Sequence, residues 1–144
     1  MHETVLIATD GSEEVERAVN YAIDLAEAFD AEVHVLYVVE TQATYILTVG
    51  LSDEDMEEYE EYGEEVVTDV VERAKDRGLE GRGIVRKGRI SEEIVEYAEG
   101  NDTGTIIMGQ QGRGATVDKY IGSTAEKVMR KTDVPVTAIG PKNE

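Results

Sequence analysis

The sequence predicts an α/β fold: an open, twisted, five-stranded parallel sheet with helices on both faces, Rossmann-like in its winding. Three observations carry that prediction. Apolar, β-branched runs alternate with helix-like stretches along the whole of the 144 residues, which is the alternation that builds a parallel sheet through right-handed crossovers. The first run, "TVLIAT" from Thr4 to Thr9, is apolar without a break, as in a strand buried on both faces. Two thinner runs, one of them holding a proline, read as sheet edges. With no internal repeat or linker, residues 1–144 are expected to form one domain.

The elements follow in order. After Thr9, "DGSEE" offers Asp10 or Ser12 as a helix cap, with Glu13 and Glu14 suited to the positive helix end. Val15, Ala18, Val19, Ala22, Ala26 and Phe29 then recur at helical spacing. "EVHVLYVV", Glu32 to Val39, is the second strand, and Glu40 to Leu51 is a connection without a period. A second helix starts at Ser52 or Asp53, carries Met56, Tyr59, Val67, Val70, Val71 and Ala74 on its apolar stripe, and ends at Gly78. Ile84 and Val85 mark a short third strand at an edge. Ser91 is the expected cap of a third helix through Ile94, Val95 and Ala98. Thr105 to Met108 is the fourth strand, a fourth helix runs from Tyr120 or Ser123 to Lys131, and Val134 to Ile139 is the last strand.

Composition narrows the chemistry. Without cysteine there is no disulfide, thiolate metal site or Cys nucleophile. The polar start "MHET" and the lack of a long apolar run predict a cytoplasmic protein with no membrane segment. The 32 acidic residues against 14 basic ones give a formal charge of −18, a field that repels nucleic acid and anionic lipid. In a chain patterned to fold, that excess reads as adaptation to high salt, as in a halophile; a basic partner or bound cations is the competing reading.

The stretch "MGQQGRGATVDKYIGST" holds the main candidate site. Phosphate binding needs converging backbone N–H groups, and glycine lets the ligand approach them. Gly109 and Gly112 follow a strand, while Gly122, Ser123 and Thr124 open a helix whose N-terminus favours an anion. Arg113 adds a cation. Ser123 with Glu126 also spells a capping box, which needs no ligand. The loop is neither a Walker A nor a GxGxxG fingerprint.

At these residues the chain resembles the universal stress protein family, whose nucleotide-binding branch carries G-x2-G-x9-G-[ST] after its fourth strand. Here Gly109, Gly112, Gly122 and Ser123 meet that spacing in full, and Thr9, Asp10, Gly11 and Ser12 match the family's "TDGS" after strand one. "GSTAEKVMRKTDVPV" is similar to the family's closing helix and strand. The resemblance implies strand order 3-2-1-4-5 and an ATP site, with or without Mg²⁺. In that site Asp10 holds the ribose or a phosphate-bound metal, and Ala8 and Thr9 line the pocket. Val38 presents backbone to the adenine, Met108 packs beside the nucleoside, and Gly109, Gly112, Gly122, Ser123 and Thr124 take the phosphates. It also implies a homodimer paired through Val136, Thr137, Ala138 and Ile139. Three positions depart from the family pattern: Ala8 where proline is common, Gln110 where Ser or Thr is common, and Gly104 in place of an acidic residue.

Other residues read more plainly. His34 is expected to be packed within its strand. Arg82, Arg86, Lys87 and Arg89 form a basic cluster that either balances acidic neighbours or attracts nucleotide phosphates. Asp10 is the only carboxylate expected near the loop, so catalysis is limited to slow hydrolysis or autophosphorylation at Ser123 or Thr124. The functional expectation is a nucleotide-dependent regulatory or protective dimer. An ATP-using enzyme of the same fold class and a ligand-free interaction module are the alternatives.

Overall fold

The computed structural model describes residues 4–41, 50, 52–110 and 122–141. Its strands are β1 (Thr4–Ala8), β2 (Glu32–Glu40), β3 (Gly81–Gly88), β4 (Thr105–Gly109) and β5 (Val136–Ile139). Its helices are α1 (Glu16–Phe29), preceded by a 3₁₀ turn at Glu13–Val15, then α2 (Asp53–Asp76), α3 (Ile90–Gly100) and α4 (Ser123–Lys131). The sheet order is β3-β2-β1-β4-β5 and every pairing is parallel, so the expected fold and both expected edges are present.

Alternation along each strand divides the core in two. Val5, Ile7, Val33, Val35 and Ile107 face α1 and α2, while Leu6, Ala8, Leu36, Ile106 and Met108 face α3 and α4. All five residues of β1 are buried, as its unbroken apolar run requires.

Helix ends explain the boundaries. Ser52 caps α2, its side chain accepting from Asp55 N–H at 3.1 Å. The other end closes as a Schellman motif: Gly78, at φ +78°, donates to Lys75 C=O, and Leu79 donates to Ala74 C=O. Three expectations are corrected. Met56 is only half-buried and Tyr59 is 49 % exposed, because the buried stripe of α2 begins at Gly63 where the helix reaches the sheet. Phe29 is exposed at the end of α1. Ser91 is not a cap: α3 begins at Ile90 after Arg89, and Ser91 is buried in its first turn.

Two arginines tie the acidic helices together. Arg73 pairs with Glu16 and Asp69, and Arg77 with Asp24 and Glu27. Arg77 holds the Glu27 carboxyl below the usual range, and its own guanidinium is raised by the two carboxylates. Such exposed pairs order the surface more than they stabilise it.

Candidate functional site

β1 lies between β2 and β4, so the chain winds one way from β1 and then the other. The carboxyl ends of β1 and β4 flank that reversal, where an open α/β sheet leaves a crevice. Ala8 is in register with Leu36 on one side and Met108 on the other. Val38 lies two residues beyond Leu36, so Ala8, Val38 and Met108 share the face that α3 and α4 cover.

The same register aims the backbone of Val38. Leu36 C=O accepts from Thr9 N–H at 3.1 Å, the last rung between β1 and β2. Backbone direction along a strand repeats every two residues, so Val38 turns its N–H and C=O the same way, past the end of β1.

The turn after β1 is built by its own side chains. Thr9 Oγ1 accepts from Gly11 N–H at 3.0 Å, and Asp10 Oδ1 accepts from Ser12 N–H at 2.9 Å and Ser12 Oγ at 2.5 Å. Asp10 therefore closes a local turn rather than capping α1, and Ser12 makes no side-chain cap bond. Gly11 sits at φ +78°, and a Cβ there would lie 2.6 Å from Tyr62 Oη on α2. The turn and α2 fit only because this residue has no side chain.

The glycine loop is clamped at its base. Gln110 N–H donates to Ile139 C=O at 2.8 Å, and Gly122 N–H donates to Gln110 C=O at 2.6 Å. Gly112, Arg113 and Tyr120 lie outside the described residues. Gly122 is the N-cap of α4, with Glu126 N–H donating to its C=O at 3.0 Å. Ser123 is thus the first helical residue, and Glu126 pairs with Arg130 at 2.7 Å. The capping box written in the sequence is not formed, because Gly122 takes the cap position. The N–H groups of Ser123, Thr124 and Ala125 stand where a helix supplies no internal acceptor. Neither the Ser123 nor the Thr124 hydroxyl bonds a described residue. A phosphate fits this arrangement by charge and by donors.

Three of the four residues of the basic cluster are committed elsewhere. Arg86 meets Glu93 and Glu96, Lys87 meets Glu60, and Arg89 meets Glu92. That supports balance of acidic neighbours over attraction of phosphate. A second cleft, between α1 and α2, sets Glu16, Glu65 and Asp69 around Arg73 and suits an anion poorly. Among the described residues no group of three His, Asp or Glu is arranged to hold a metal ion, and no helix is long and apolar enough to cross a membrane.

Residues 1–140 match the universal stress protein family. The chain belongs to the universal stress protein family. This universal stress protein is 33% identical to the universal stress protein MJ0531 of Methanocaldococcus jannaschii, over 100% of this chain and 86% of that one. Among solved structures, hypothetical protein MJ0577 superposes with a TM-score of 0.85 at 28% identity, covering 100% of this chain and 99% of the other. A universal stress protein from Archaeoglobus fulgidus in complex with dAMP superposes with a TM-score of 0.72 at 23% identity, covering 96% and 98%, a likeness of fold.

Sequence reasoning overlooked two contributors. In sequence Gln110 stands out only as a departure from the family, yet its backbone joins β5 to the base of the loop. In sequence Gly11 is only one letter of a motif, yet a Cβ there would collide with Tyr62 and Val66 of α2. Neither has a local signal, since each depends on a partner distant in sequence.

Proposed function

We propose that this universal stress protein binds an adenine nucleotide, ATP with or without Mg²⁺, and acts as a nucleotide-dependent regulatory or protective homodimer. The observation that carries the reading is the start of α4, where glycine holds the cap and two hydroxyls with free-standing helix donors are left uncommitted. Gly109, Gly112, Gly122, Ser123 and Thr124 take the phosphates, with Arg113 adding charge. The backbone of Val38, turned past the end of β1, meets the adenine edge, and Ala8, Thr9 and Met108 line the nucleoside. Asp10 faces the ribose or a phosphate-bound Mg²⁺. The dAMP held by the A. fulgidus relative names the ligand class to try first. With Asp10 engaged by Ser12, turnover is slow at most. Homodimerisation uses the outer edge of β5, and the acidic surface is an adaptation to salt.

Thermal unfolding in high KCl with Mg-ATP, Mg-GTP or no ligand tests this. Ligand at about 100 times Kd adds about 2.7 kcal/mol, several degrees in a domain of this size. Gly122→Val is expected to abolish the ATP shift. Gly122 has φ −66°, which valine adopts without strain, so the loss reports bulk in the phosphate path. An unchanged shift in that variant sinks the site assignment. The second reading, a ligand-free interaction module, is favoured by the Gly122–Gln110 bond, which closes the loop base without a ligand; no shift with either nucleotide would establish it.

A further inference from the structure

We propose that Ser91 reads the nucleobase, its Oγ forming a hydrogen bond to the adenine edge and setting preference for that base. The proposal rests on the nucleotide reading above and adds a residue to it. Three buried side-chain polar atoms in the described residues lack a hydrogen-bond partner: His34 Nε2, Ser91 Oγ and Thr103 Oγ1. Buried polar atoms are rarely left so, and each calls for a reason. Thr103 precedes β4, at the end of the sheet away from the crevice. His34 Nε2 has Glu32 Oε1 at 3.7 Å. Ser91 alone stands at the crevice end.

Two bonds fix its level. Ile90 N–H donates to Glu40 Oε1 at 3.3 Å, and Tyr97 Oη meets His34 Nδ1 at 2.7 Å. Helix α3 therefore runs antiparallel to β2, with its start above Glu40 and its second turn above His34. His34, Leu36, Val38 and Glu40 share one face of the strand by alternation. Ser91, Ile94 and Ala98 form the inward stripe of α3, all of them buried. Ile94 and Ala98 pack in the cluster that holds Leu36 and Met108, with Val38 against it. Ser91, one turn earlier than Ile94, thus lies over the end of β2 between Leu36 and Glu40. That is the level of Val38, whose backbone is turned past the end of β1.

The helix itself supplies no acceptor for this hydroxyl. A serine inside a helix usually bonds the carbonyl three or four residues back. For Ser91 those carbonyls belong to Lys87 and Gly88 of β3, and Gly88 C=O already accepts from Thr41 N–H at 3.0 Å. A serine hydroxyl both donates and accepts, so it can serve a ring nitrogen or the exocyclic amine of adenine.

The test crosses Ser91→Ala with ligands by calorimetry in high KCl, using ATP, 7-deaza-ATP, 1-deaza-ATP and the triphosphate of purine riboside, which lacks the 6-amino group. Ser91→Ala is expected to bind ATP about three- to tenfold more weakly, as for loss of one neutral hydrogen bond. For one analogue, missing the atom that Ser91 contacts, wild type and variant should bind alike. The ligand-free variant should melt no lower than wild type, since only an unpaired buried hydroxyl is removed. Ser91→Cys, which keeps the volume but weakens the hydrogen bond, should repeat the pattern if the alanine variant folds poorly. Wild-type ATP affinity in both variants, or an equal loss with every analogue, overturns the assignment to Ser91 while nucleotide binding stands. A wild-type protein that binds none of the four overturns both readings.

Discussion

Gly11 shows how one residue joins a local turn to distant packing. Its φ of +78° suits glycine, and any Cβ meets Tyr62 Oη and Val66 Cγ2 on α2. Gly11→Ala is therefore expected to cost roughly 2 kcal/mol by strain alone, read as a lower denaturant midpoint, and to weaken ATP binding by shifting Thr9 and Asp10. His34 makes a second prediction at this scale. Burial, and then the Arg82 charge, hold its imidazole below the ordinary value of 6.5, with Glu32 opposing. The unfolded chain then binds more protons than the folded one just below that pH, so stability contributed by neutral His34 is present above pH 6.5 and lost as pH falls toward the folded value. Protonation of the many carboxylates shifts stability as well, so the comparison is with His34→Gln. The melting-temperature advantage of wild type over that variant should shrink from pH 7.5 to 5.5. A constant difference would show that Glu32 offsets the burial, so that the folded and unfolded chains bind the His34 proton alike.

At the scale of elements, the strands were legible because burial on both faces leaves an unbroken apolar run, as in β1, and because the edges are thinner. Helix starts were harder. The start of α2 at Ser52 or Asp53 was legible because the Ser52 hydroxyl caps the helix, with Asp53, Glu54 and Asp55 behind it. Ser91 and Ser123 carry the same residue type, yet neither caps: the helix begins one residue before Ser91, and Gly122 precedes Ser123 in the cap position. A serine at a helix start signals a cap only when the chain before it is free to adopt the extended cap conformation, and here β3 and the loop base set the phase instead. Ser91, expected as a cap, and Ser123, for which a capping box was only the alternative to a phosphate role, both keep uncommitted hydroxyls at the crevice end. Strand β5 adds a prediction. Pro135 C=O accepts from Ile106 N–H and Ile139 C=O from Gln110 N–H, so residues 135, 137 and 139 turn their backbone toward β4. Val136 and Ala138 turn theirs outward. Ala138→Pro removes an outward donor without touching the ladder to β4. Sedimentation should show a monomer that keeps its far-UV spectrum and its ATP shift. A dimer that survives this change does not pair through the β5 edge.

At the scale of the whole molecule, charge is the dominant unbalanced quantity. Helix α2 alone carries twelve acidic and two basic side chains, more than half of the net −18. Glu57 and Glu61, Glu61 and Glu65, and Glu54 and Glu58 stand four residues apart, so like charges face each other along the helix. The tethers to α1 through Arg73 and Arg77 are two against that surplus. Salt acts on both. It weakens the tethers, but it weakens the far more numerous repulsions as well, as the screening length falls from about 10 Å at 0.1 M to about 3 Å at 1 M. The repulsive side wins by number, so raising KCl from about 0.1 to 1 M should raise Tm. Charge and general salting-out can be separated. Glu57, Glu58, Glu61 and Glu64 are exposed, and no ion pair among the described residues uses them. Changing these four to glutamine leaves the core and both arginine tethers in place. If repulsion is the cause, that variant should melt higher than wild type in low salt and gain less from added KCl. An identical salt slope in the two proteins would assign the rise to salting-out of apolar surface, and the acidic surface would then need another explanation, such as a basic partner laid along α2.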